Sequence, residues 1–271
     1  MTTQVSFYRN TSISLLLASA LLVNGCDDSE KKVAQTAPHT EAEVEIAQPA
    51  PLTSDRVSWV KTVDNCAELC PSLRVNLVIF PDNPKLNTML EQNLLSMVDT
   101  TAETEITIHS LQDYAEHYLQ YAEGSDETVL ETSLRFENGL YTVIEQLAYT
   151  QADGAAHGLS TSEFVNWDNQ REQFIALDDM LLPEAKEVFF SKLEAAHQAW
   201  LKETLTAEDD PQQWLSTWPF LPSENVALTE QGVLVKYEPY AIAPYSSGQP
   251  ELFIPYAELT GIFKPEYLLS P

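Results

Sequence analysis

The sequence predicts an α+β fold: largely antiparallel mixed sheet or sheets packed against several helices. Three observations lead there. Period-2 apolar alternation marks several short strands, and apolar spacings of three and four mark amphipathic helices. The two kinds of element come in clusters rather than in strict alternation, which points away from a parallel β/α architecture. An Asn138-Gly139 pair between two alternating runs is a strong short hairpin signal and makes antiparallel pairing explicit.

Order is expected from Arg56 onward. Val57 to Val63 reads as a strand, and Leu73, Val75, Leu77 and Ile79 alternate as a second with one buried face. Asn83-Pro84 is a cap followed by proline at the first helical position. The helix it opens carries Leu86, Met89, Leu90, Leu94 and Met97 on one stripe. Ser110 opens another, with Leu111, Tyr114, Tyr118 and Leu119 inward and Gly124 as the stop. Thr128 to Glu137 and Leu140 to Thr150 form the hairpin around Asn138-Gly139. Strands follow at Ser160 to Asn166 and Phe174 to Leu177. A long helix is expected over Glu184 to Leu205, carrying Val188, Phe189, Leu193, Ala196, Trp200 and Leu201 at helical spacing. Val233 to Tyr237 and Leu252 to Ile254 are the last strands, and Pro255 to Leu259 a closing helical turn.

The N-terminus carries an address. A start whose one charge is Arg9 leads into the apolar run Ile13 to Val23 and then Asn24-Gly25-Cys26. An apolar run of about 7–15 residues behind a basic start is a secretory signal, too short for a permanent membrane span. The small residue before Cys26 resembles a bacterial lipobox, which implies cleavage after residue 25 and lipidation of Cys26. In a Gram-negative cell, Asp27 directly after that cysteine resembles the signal that retains lipoproteins in the inner membrane, facing the periplasm. Residues 26–55 are rich in Ala, Pro, Ser, Thr and Glu without apolar periodicity and read as a disordered tether.

Composition bounds the partners. The chain has 271 residues, 44% hydrophobic and 10% aromatic, which suits a globular body. Its 41 acids against 14 bases give a net charge of −27. Nucleic-acid binding, which needs a basic face, is excluded, and adsorption on anionic lipid is disfavoured. Contact with the membrane is therefore expected through the N-terminal lipid alone. Either the charge is a solvated surface or it steers a basic partner. With Cys26 spent on lipid, Cys66 and Cys70 remain four apart in a compartment that favours disulfides, so a local bond is expected. Neither a metal site nor a cofactor is expected, because the pair has no second Cys/His cluster to help it.

Several motifs fall in one order. Gly154-Ala155-Ala156-His157-Gly158 is followed by Asn166, Asp168 and Leu177-Asp178-Asp179-Met180-Leu181. Tyr237-Glu238-Pro239-Tyr240-Ala241-Ile242-Ala243-Pro244-Tyr245-Ser246-Ser247-Gly248 follows, then Phe253-Ile254-Pro255-Tyr256 and Leu259. This series resembles the C-terminal domain of unknown function shared by RsiV-type anti-sigma factors and the non-catalytic region of PdaC-type peptidoglycan deacetylases. Residues 56 to 150 resemble the companion domain that precedes it. The implied layout is a signal peptide over 1–25, a tether over 26–55, and domains over 56–152 and 153–271. Ala241 stands where that family often has Glu, so a role resting on the carboxylate does not transfer. The chain is expected to lack the cytoplasmic segment and membrane helix of an anti-sigma factor, so direct sigma-factor binding is excluded. In RsiV-like proteins the module binds lysozyme, which implies a lysozyme-like protein or peptidoglycan as partner here.

The candidate residues have two readings each. His157, in a Gly/Ala-rich turn, either meets a ligand or ties down its loop, and Asp153 could orient it. No Ser or Cys nucleophile stands in triad context. Tyr237, Tyr240, Tyr245 and Tyr256, stiffened by Pro239, Pro244 and Pro255, form either a binding edge or core filling, with core favoured for at least two of the four. His197 reads as packing or surface, and the carboxylates Asp178-Asp179 and Glu208-Asp209-Asp210 as a helix start and a solvated loop. The leading expectation is a lipid-anchored periplasmic binding module without catalysis. The rivals are a cell-wall hydrolase using His157 and a structural or assembly partner of envelope proteins.

Overall fold

The computed structural model describes residues 49–63, 66, 69–98 and 108–269. Cys26, the expected signal peptide and most of the expected tether lie outside these residues. β1 (Asp55–Thr62) pairs antiparallel with β2 (Ser72–Ile79), and the Cys66–Cys70 disulfide is formed in the segment between them. Helices α1 (Pro84–Ser96) and α2 (Leu111–Tyr121) follow. Next come β3 (Glu127–Glu137), β4 (Tyr141–Gln151), β5 (Leu159–Asp168) and β6 (Gln173–Ile175). The six strands form one sheet in chain order, antiparallel except where β2 runs parallel to β3. That sheet crosses residue 152, the expected domain boundary, without a break.

The second half adds α3 (Leu177–Met180), α4 (Lys186–Thr204) and α5 (Pro211–Thr217). A three-stranded antiparallel sheet follows, of β7 (Val226–Leu228), β8 (Gly232–Lys236) and β9 (Glu251–Pro255), closed by α6 (Tyr256–Leu259). The fold is thus α+β, with one mixed sheet and one antiparallel sheet. Among the described residues no helix is long and apolar enough to cross a membrane.

Local chemistry sets the element ends. Asn83 Oδ1 accepts from the Leu86 amide at 3.0 Å, and Ser110 Oγ from the Asp113 amide at 3.1 Å, each satisfying an orphan N–H of a first turn. Asn138 Oδ1 accepts from the amides of Leu140 and Tyr141 and closes the β3–β4 turn. Gly139 sits there at φ +80°, and any Cβ would strike the Pro49 carbonyl. The Leu52 amide also bonds the Glu137 carboxylate, so the end of the 26–55 stretch lies on this hairpin.

Leu86, Leu90 and Leu94 of α1 pack inward, as their spacing predicts. In α2 the buried set is Leu111, Tyr114, Ala115 and His117, with Leu119 only half-buried. In α4 the inward stripe is Phe189, Leu193, His197 and Leu201, an i, i+4 row. Val188, expected inward, is 50% exposed because the row runs one residue later. Phe189 and Leu193 join Val233, Val235, Leu252 and Ile254 in the core between α4 and the small sheet.

Candidate functional site

The site is built by the β8–β9 connection, residues 237–250. Ile242 and Ala243 are buried and anchor the loop. Glu238 fastens it to β5: its Oε1 accepts from the Ser162 amide at 2.6 Å and its Oε2 from Gln249 Nε2 at 2.9 Å. Burial pushes the Glu238 carboxyl above the usual range, against those bonds and the nearby Lys236 charge. Clamped this way, the loop lies beside the β4–β5 turn that carries His157.

Tyr240 and Tyr245 meet His157 there. The His157 and Tyr245 rings stack with centroids 4.0 Å apart and planes 23° apart. Nδ1 of His157 lies 3.0 Å from the Gly158 carbonyl, and Nε2 lies 3.0 Å from the Tyr240 hydroxyl. A carbonyl can only accept, so Nδ1 carries the hydrogen, and Nε2 of the neutral ring accepts from the Tyr240 O–H. A side chain at Gly158 would collide with the Tyr149 ring, so the turn holds its shape only with glycine. Tyr240 has φ +69°, a left-handed conformation that is costly for a residue with a Cβ. That conformation holds the ring outward, 45% exposed.

Trp218, which caps α5, continues the row, stacked on Tyr240 at 6.1 Å. Beyond it a cavity of about 300 Å³ is lined by Trp214, Trp218 and the Glu208–Asp210 carboxylates. Hydrogen bonds from Thr206 hold the Asp209 carboxyl below its ordinary range. Sequence reasoning missed α5 and both tryptophans. The signal was present: Asp210-Pro211 repeats the cap-then-proline pattern of Asn83-Pro84, and Asp210 Oδ1 accepts from the Gln212 amide at 2.9 Å.

The other candidates lie elsewhere. Tyr237 and Tyr256 are 4% and 8% exposed, and their hydroxyls donate to the carbonyls of Leu221 and Thr229. Burial raises both phenols, and both belong to the core rather than to a binding edge. Asp153, a possible orienter of His157, instead accepts from the amide and hydroxyl of Ser125, which hold its carboxyl low. No carboxylate bonds His157 among the described residues. His197 is fully buried beside Trp200 and Phe220, and burial lowers its imidazole. Among the described residues no group of three or more His, Cys, Asp or Glu could hold a metal.

Comparison with known proteins follows the same geometry. The DUF3298 family, a protein family of unknown function, matches residues 178–257, from α3 into α6. No curated protein matches the sequence significantly. The crystal structure of a DUF3298 family protein from Pseudomonas aeruginosa is 34% identical, with a TM-score of 0.74, over 82% of this chain and 98% of that one. A DUF3298 member from Bacteroides fragilis, 20% identical, shares the fold at a TM-score of 0.62, over 79% of this chain and 94% of that one. With a relative of that identity matched along nearly its whole length, and with the family's own segment forming the loop that builds the aromatic face, the chain belongs to the DUF3298 family.

Proposed function

We propose that the protein is a lipid-anchored binding module of the bacterial cell envelope, facing the periplasm, that takes cell-wall glycan on the face formed by Trp218, Tyr240, Tyr245 and His157. The single observation that carries this reading is the contiguous aromatic row, with Tyr240 held outward in a left-handed backbone. Aromatic rings offer flat apolar area with polar tips at little entropic cost, which suits the mixed C–H and O–H faces of sugars. Binding is favoured over hydrolysis because His157 has tyrosines and a carbonyl, rather than a carboxylate, around its ring. Calorimetric titration of the full chain with muropeptides tests the reading. Saturable heat that Tyr240→Ala abolishes supports it, and heat unchanged by that substitution sinks it.

A net charge of −27 favours a second reading, a basic lysozyme-like protein as ligand. Titration with a c-type lysozyme at low and moderate salt separates the two. Saturable binding that survives moderate salt supports the protein ligand, and heat that vanishes with salt reduces it to bulk charge attraction.

A further inference from the structure

A second cavity, of about 220 Å³, lies apart from the aromatic row, where β1–β4 meet the end of β8. Cross-strand pairing builds its floor: Ser58 opposes Asn76, Asn76 opposes Glu131, and Glu131 opposes Leu147. One step along, Ser133 opposes Glu145. At the back, Lys236 and Glu145 are both buried and ion-paired. Arg135 bonds Glu145 at 2.7 Å and Glu251 at 3.0 Å, so two cations and two carboxylates neutralise each other there. A buried pair of this kind holds its shape, since breaking it strands a charge.

The front of the cavity is different. Asn76 Oδ1 accepts from Arg56 at 3.1 Å and from the Ser58 hydroxyl at 2.9 Å. Among the described residues nothing bonds Asn76 Nδ2, the Ser133 hydroxyl or the Glu131 carboxylate. The remaining Arg56 donors are equally without partners. Donors and acceptors thus stand side by side, and the Arg56 and Glu131 charges cancel. A small anion would meet Glu131, a cation would meet Arg56, and an apolar ligand would leave these groups desolvated and unpaired. A hydroxyl group donates and accepts at once, so a ring bearing several of them fits all four. Leu147 supplies an apolar patch for its C–H face. The volume lies below the roughly 300 Å³ lower end of drug-sized sites, which limits the occupant to about one ring.

We propose that this cavity binds one neutral, hydroxyl-rich sugar ring through Arg56, Asn76, Glu131 and Ser133. It goes beyond the aromatic-face reading, and either can hold without the other. The test is an NMR titration of the full chain with glucose, mannose, galactose and N-acetylglucosamine, following the side-chain amides of Asn76 and Gln249, which line the cavity. One of these sugars shifts both amides saturably, and Glu131→Gln and Ser133→Ala each weaken that binding about tenfold. Both are near-isosteric surface changes, so they keep the site testable if Asn76→Ala fails to fold. Tyr240→Ala leaves the shifts unchanged, which separates this site from the aromatic row. Amides that move with none of the four sugars overturn the proposal. So does a response to acetate or to a lysine peptide in place of sugar, or binding indifferent to both Glu131→Gln and Ser133→Ala.

Discussion

The core between α4 and the small sheet and the aromatic row beside it draw on the same residue types, yet one is closed and the other open. Under α4, Phe189 and Phe263 are almost wholly buried with ring centroids 5.7 Å apart, and Tyr237 and Tyr256 spend their hydroxyls on backbone carbonyls. On the row, Tyr240 spends its hydroxyl on an exposed histidine and keeps its ring in solvent. Only two residues, Glu238 and Pro239, separate Tyr237 from Tyr240. Residue type does not decide the role of an aromatic ring here. What decides it is the backbone: Tyr237 directly follows β8 and turns into the core, whereas Tyr240 is held outward by a left-handed conformation in the same connection.

The sharpest way to break the contrast is truncation. Phe189→Ala should cost about 3–5 kcal/mol in denaturant unfolding, because a fully buried ring leaves a cavity. Tyr240→Ala should stay within about 1 kcal/mol and lose glycan binding instead. Equal losses from both would mean that the row is structural.

Acid and base should act on the two regions in opposite directions. His197 is buried, and its imidazole is lowered by burial, so the unfolded chain takes up a proton that the folded one refuses. Stability is therefore full above the ordinary histidine value, about 6.5, and is lost as pH falls below it, by at most about 1.4 kcal/mol per pH unit. Glu238 has the contrary sign. Its raised carboxyl keeps a proton in the folded state, so its contribution is present at low pH and fades as pH climbs from the ordinary carboxylate value through the raised one. Thermal melts from pH 4 to 8 should lose the component that falls with acid in His197→Leu and the component that falls with rising pH in Glu238→Gln.

Smaller effects refine the picture. Tyr237→Phe should cost about 1 kcal/mol by chemical denaturation, since the bond from the buried Tyr237 hydroxyl to the Leu221 carbonyl is lost. Least of all, Tyr240→Gly should be roughly 1 kcal/mol more stable than Tyr240→Ala, by relief of the left-handed backbone. A Gly variant no more stable than Ala would remove strain from the account.

Local signals carried most of the fold. Asn83-Pro84, Ser110 and Asn138-Gly139 each act through bonds within three residues of themselves, so the sequence around them suffices. The parallel β2–β3 pairing has no such signal, because its residues lie 55 positions apart, as in Ser72 and Glu127. The exposure of Val188 turned on a one-residue phase that hydrophobic spacing in α4 does not fix. For the site, His157, Tyr240 and Tyr245 could be read as candidates. Which of the four tyrosines face solvent could not, since Tyr237, Tyr240 and Tyr245 lie in a connection without periodicity and Tyr256 opens a helix of only four residues. Trp218 escaped because α5 is short and its cap went unweighed.

The parallel seam also gives assembly a direction. The β1–β2 hairpin and the β3–β6 meander are each sewn from neighbours in the chain. Joining them means closing the long crossover through α1 and α2, an entropic toll that nearby contacts never meet. Asn76 stands on one side of that join and Glu131 on the other, facing each other in register. The polar cavity is therefore absent from either piece alone and exists only where the seam is closed. The polar cavity is thus a property of the joined sheet, whereas the aromatic row rests on β5 and the β8–β9 connection, away from that seam.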